Sequence, residues 1–150
     1  MKEKNNDVKG TSISLKKSLS GFFEKTPEVK TAYIYGSQAS GKTGPLSDVD
    51  VAVLLDNSLD AHQRFRLILR LTGELSEILG GKRIDLVDIN SAPLLLKENI
   101  LKNGVLISTK DEDERVRTEV AIMREYLDRD YYVQRRANTV IKRIASAGLE

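Results

Sequence analysis

Cysteine is absent from this chain of 150 residues, and histidine occurs once, at His62. The first absence excludes disulfides and thiolate metal sites. The second leaves histidine-rich metal centres, and a Ser-His-Asp triad with histidine as base, little to draw on. No apolar run approaches the ~20 residues that a membrane span needs. Residues 1–7 are polar and lack the apolar stretch of a secretory signal. Together these absences lead us to expect a cytoplasmic protein. Neither sign of charge dominates, with 24 Lys and Arg against 22 Asp and Glu and a net charge of +2. That balance gives no ground for direct nucleic-acid binding. What is present is ordinary for a globular chain: 40% hydrophobic and 31% charged residues. The length suits one domain with a core of its own.

The patterning predicts α-β-loop-β-α-β-α-β-α, a small α/β (α+β) domain with a mixed sheet flanked by helices. Residues 1–10 form a polar tail. Apolar positions at Ile13, Leu15, Leu19, Phe22 and Phe23 approximate one helical face, which Pro27 ends. Residues 29–35 read as a strand, 36–47 as a loop rich in Gly and Ser, and 49–55 as a strongly apolar strand interrupted by Asp50. Ser58 or Asp60 can cap the next helix, and Gly80-Gly81 stops it. A third strand spans 83–89, a short helix 92–102 and a fourth strand 105–108. Thr109, with Glu112 three residues on, suits a capping box for a last helix reaching Ser146. At ~1.5 Å per residue that helix is roughly 54 Å long, more than a small domain's width, so a break or a projecting end is expected. On this reading the domain proper covers residues 11–110, and 111–150 is a helix that packs on it and is available to a partner. Tyr126, Tyr131 and Tyr132 suit partner contact, since aromatics are enriched at interfaces, and a helix packed across the sheet with a frayed end is the equal alternative.

The loop admits two readings. Residues 36–43 match the phosphate-loop pattern G-x-x-x-x-G-K-[ST] letter for letter. In that motif Thr43 opens a helix, yet here Gly44 and Pro45 follow at once, and Pro disfavours helical geometry in the residue before it. Only about five residues separate Thr43 from the next strand, whereas a parallel crossover needs about a dozen or more. The second reading starts from Gly36-Ser37, followed ten residues later by Asp48 and Asp50. Strand side chains alternate, so these two carboxylates share a face roughly 7 Å apart. Asp50 interrupts an apolar strand, where a lone charge is costly unless paired or metal-bound. Oxygen donors are what Mg2+ prefers, and two such ions ~3.5–4 Å apart can clamp the attacking and leaving oxygens of a displacement. The third strand offers two further carboxylates, Asp85 and Asp88. Asp85, amid the apolar run, is favoured for the site. Asp88, at the strand's end, reads as solvated or helix-capping.

Gly36-Ser37, Asp48, Asp50 and Asp85 resemble the DNA polymerase β-like nucleotidyltransferase superfamily. Residues 35–53 resemble in particular its minimal nucleotidyltransferases, many of them similar to MntA-type antitoxins. The resemblance implies the polymerase β-like fold over about residues 12–109, and ATP as co-substrate with two Mg2+ ions. It implies Asp48, Asp50 and Asp85 as catalytic and metal-binding residues. Gly36 and Ser37 would hold the terminal phosphates, with Ser40, Lys42 and Ser47 as further candidate nucleotide contacts. It implies a partner too: a HEPN-domain ribonuclease toxin of the HepT type, silenced by AMP placed on a tyrosine. The HEPN motif itself, Arg followed by His, is absent, since no Arg stands four to six residues before His62. Two alternatives stand beside it: transfer to a small molecule, and a non-catalytic antitoxin acting by binding alone. The first lacks residues for an acceptor pocket, and the second has no need of three carboxylates.

Overall fold

The computed structural model describes residues 13–40 and 48–148. The elements are α1 (Ile13–Glu24), β1 (Val29–Tyr35), α2 (Gly36–Ser40), β2 (Val49–Leu55), α3 (Ala61–Ile78), β3 (Ile84–Asp88), a 3-10 turn (Ile89–Ser91), α4 (Leu94–Asn103), β4 (Val105–Thr109) and α5 (Glu112–Ser146). The four strands form one mixed sheet in the order β3-β2-β1-β4. β1 runs antiparallel to both β2 and β4, while β2 and β3 are parallel, joined by the α3 crossover.

Alternation in the central strands divides the core between two faces. Ile34, Val49, Val51, Val53 and Leu55 turn to one face, where Leu19 and Phe23 of α1 and Leu67, Leu71 and Leu75 of α3 cover them. Tyr33, Tyr35 and Ala52 turn to the other, against Ile100 of α4 and Ile122 of α5. β1 and β2 are thus covered on both sides, which accounts for their nearly unbroken apolar sequence.

Asp60 caps α3: its side chain accepts the Gln63 amide while the Gln63 side chain accepts the Asp60 amide. The cap of α5 differs from expectation. Asp111, not Thr109, accepts from the Glu114 amide. The Thr109 hydroxyl is drawn into the sheet by Thr31, 3.0 Å away, so β4 continues through it and the helix starts later. The first residues of the expected loop also differ, since Gly36–Ser40 wind into a short helix. α5 is unbroken over 35 residues. Its first half packs on α4, and the Tyr33 hydroxyl donates to Glu119 at 2.5 Å. After Tyr126 every described residue of α5 is exposed, so the surplus length projects. Among the described residues, no helix is long and apolar enough to cross a membrane.

Candidate active site

The parallel crossover that a phosphate-loop reading requires is absent, because β1 and β2 are antiparallel neighbours. What the sheet builds instead is a row. Tyr35 on β1 stands opposite Asp50 on β2, and Asp50 stands opposite Asp85 on β3. Residues directly opposite in a sheet point to the same side. Asp48, just ahead of β2, lies close enough for its charge to act on the Asp50 carboxyl. Asp48 and Asp85 are exposed and Asp50 is half-buried, so the row grades from the interior to solvent at the β3 edge.

Gly36 seats the row. It follows β1 directly and takes φ 66°, a left-handed conformation that side chains rarely adopt. A Cβ added there would collide with the Asp50 Oδ2. The backbone of Gly36 therefore lies against the Asp50 carboxylate, an approach that only glycine allows. Ser37 follows at the start of α2, half-buried. Of the other candidate contacts, Ser40 closes α2, and Lys42 and Ser47 lie outside the described residues.

The electrostatics are those of crowded like charges. Burial, then Asp85, then Asp48, raise the Asp50 carboxyl above the usual carboxylate range. Burial, then the charges of Asp85 and Asp50, push the Tyr35 hydroxyl up to about 12. Among the described residues, one ion pair reaches the carboxylates, and it is loose: Arg83 Nε lies 4.0 Å from Asp48 and is itself exposed. Among the described residues no three acidic side chains converge into a ready-made metal cage. The donor set nevertheless fits a hard cation. It consists of oxygen ligands, one of which disfavours its own ionised form, and among the described residues the loose contact of Arg83 with Asp48 brings positive charge to them.

Asp88 departs from the expectation of a solvated carboxylate but keeps its capping role. It is buried, accepts from the Asn90 amide at 3.1 Å and the Ser91 hydroxyl at 3.3 Å, and pairs with Arg64 at 3.0 Å. Its charge is spent on anchoring the turn after β3 to α3. Tyr35 is the site residue that sequence reasoning missed. Its type signals only a strand residue, and its place beside Asp50 depends on the β1–β2 register.

Comparison with known proteins bears on the family and the fold. The family model of polymerase β nucleotidyltransferases matches residues 17–113. The protein adenylyltransferase MntA of Shewanella oneidensis strain MR-1 is 30% identical over 105 residues, covering 69% of this chain and 72% of that protein. A crystal structure of a toxin–antitoxin with AMP-PNP superposes with a TM-score of 0.62 at 24% identity, over 84% of this chain and 98% of that one. A structure of a tri-AMPylated Shewanella oneidensis HEPN toxin in complex with an MNT antitoxin gives a TM-score of 0.58 at 22% identity, over 84% and 98%. At these identities the two structures speak for the fold.

Proposed function

The chain belongs to the polymerase β nucleotidyltransferase family, and from that premise we propose that it transfers AMP from ATP to a tyrosine hydroxyl of a HEPN-domain toxin, silencing it as an antitoxin. The observation that carries this reading is the row of Asp50 and Asp85 on one face, with Asp48 just ahead of it and Gly36 closing its inner end. The similarity to MntA, a protein adenylyltransferase, supports AMP as the group moved. The likeness to the complex of an MNT antitoxin with an AMPylated HEPN toxin supports the partner.

In this reading Asp48, Asp50 and Asp85 hold two Mg2+ ions. When bound, such ions would supply charge neutralisation for the triphosphate and a lowered pKa for the acceptor hydroxyl. Asp50 would be the innermost of these ligands, held between the backbone of Gly36 on one side and the β1–β2 ladder on the other. Gly36 and Ser37 grip the terminal phosphates, so that pyrophosphate is the leaving group. Asp85, exposed at the sheet edge, is open to the incoming hydroxyl and takes its proton. Tyr35 remains a neutral phenol at physiological pH and adds no further negative charge to the row.

The test uses purified protein, Mg2+, ATP labelled at the α-phosphate and the HEPN protein encoded beside this chain. Label is expected on a tyrosine of the HEPN protein. Asp48→Asn and Asp50→Asn should each lower transfer by at least about 100-fold, the scale of lost transition-state electrostatics, while circular dichroism stays unchanged. Undiminished transfer in either variant sinks the mechanism. Tight binding without transfer in the wild type overturns the enzymatic role toward the toxin, and label on a small molecule instead overturns the acceptor.

A further inference from the structure

The projecting half of α5 carries an apolar seam that the fold leaves bare. Positions 116, 120, 123, 127, 130, 134, 137, 141 and 144 follow alternating steps of four and three. They hold Val116, Val120, Met123, Leu127, Asp130, Gln134, Ala137, Ile141 and Ile144. Seven of the nine are apolar, and the repeat is seven residues throughout, the pattern of a left-handed coiled coil. The six large ones are 38–61% exposed, and the seam is open along its whole length, including the part beside the domain. The contact that anchors α5 uses a different stripe, Glu119 and Ile122.

From this seam we propose that α5 pairs antiparallel with α5 of a second copy of this chain. Three observations select that occupant. First, the seam is self-complementary when reversed. A register centred on residue 132 sets Val120 against the second copy's Ile144, Met123 against its Ile141 and Leu127 against its Ala137. The same register sets Asp130 against the second copy's Gln134, so apolar meets apolar and polar meets polar in every layer. Asp130 and Gln134 already bond along the helix at 3.1 Å, and the dimer gives that polar step a symmetric counterpart. Second, charge divides along the helix. Residues 112–130 contain seven acidic and four basic side chains, and residues 131–146 four basic and none acidic. Antiparallel packing lays each basic half along an acidic one. Parallel packing would stack Asp130 on its own copy inside the seam and set the two basic ends side by side. Third, the flank agrees. Tyr131, exposed beside the seam, falls next to the symmetry axis, where it meets its own copy.

Sedimentation of the purified full chain at micromolar concentration should give a dimer. Leu127→Glu touches nothing that folds the monomer, and it should raise the dimer dissociation constant by about 100-fold or more, since it buries two charges per dimer. Helicity should stay unchanged. The absence of native cysteine supplies an orientation test. Val120→Cys and Ile144→Cys chains should cross-link when mixed, and neither should cross-link alone. A wild-type monomer, a dimer indifferent to Leu127→Glu, or Val120→Cys linking to itself would each overturn the proposal. So would a monomer whose toxin binding is what Leu127→Glu abolishes, because the seam would then belong to the toxin. Transfer of AMP by the Leu127→Glu monomer separates this outcome from the fate of the catalytic reading.

Discussion

Asp50 shows how a single position carries cost and use together. Its carboxylate is half-buried and faces two others, so the folded chain disfavours its charge. Asp88 is buried more deeply, yet Arg64 and two hydrogen-bond donors satisfy it. Among the described residues, the contrast between a carboxylate crowded by like charges and one paired with a cation separates candidate chemistry from architecture more clearly than burial does. Tyr35 allows a direct check of the field around the row. Its hydroxyl sits at about 12 in the folded chain against 10.0 when unperturbed. Between those values the unfolded chain has lost this proton while the folded chain keeps it. The folded state binds more protons there, so the stabilising contribution, fully present below pH 10, falls away as pH rises through the window. Tyr33 is raised as well, chiefly by burial and by its bond to Glu119, and acts in the same direction. Urea midpoints of the wild type should therefore fall between pH 10 and 12, and those of Tyr35→Phe should fall less. Identical slopes would mean that Tyr35 ionises freely in the fold.

Among the elements, β2 was legible almost residue by residue, because burial on both faces requires a continuous apolar run and leaves Asp50 as its one intrusion. Helix ends were less so. Asp60 and Asp111 both cap helices, but the appeal of Thr109 as a cap ended once Thr31 was found across the sheet. A local rule lost to a partner 78 residues away. Lys110 is a second long-range case. Its ammonium donates to the carbonyls of Phe23, Thr26 and Val29, fastening the α1–β1 turn to the end of β4. Lys110→Met keeps the apolar stem and strands those acceptors. Water at this partly open rim replaces some of the lost bonds, so we expect a cost of about 2 kcal/mol in urea unfolding. A change within experimental error would show that water replaces all three.

At the scale of the molecule, stability is unevenly distributed. β1 and β2 are covered on both faces, whereas every described residue of α5 beyond Tyr126 is exposed, and of these Arg129, Asp130 and Val133 line a cavity with Leu94 and Leu95 of α4. Amide exchange at high dilution, where the monomer prevails, should be slowest in 31–35 and 50–54 and fastest among the helical segments in 131–146. Raising the concentration should protect 127–144 and leave the strands unchanged. Uniform protection of α5 at every concentration would contradict both the projection and its pairing.

The sequence by itself determined the order of elements, the expectation that Asp48 and Asp50 share a face, and the rejection of a phosphate loop. Each of these follows from local geometry: two-residue alternation, the conformational limits of Gly44 and Pro45, and too short a chain for a crossover. It also held the heptad seam, which needs only the steps along one helix. Tertiary structure decided the rest. It set Asp85, already favoured by its place in the apolar run, directly opposite Asp50, brought Tyr35 into the row, pressed Gly36 against a carboxylate and left the seam of α5 uncovered. Those outcomes depend on strand register and helix placement, which are set by pairing between residues far apart in the chain, and no local pattern encodes them.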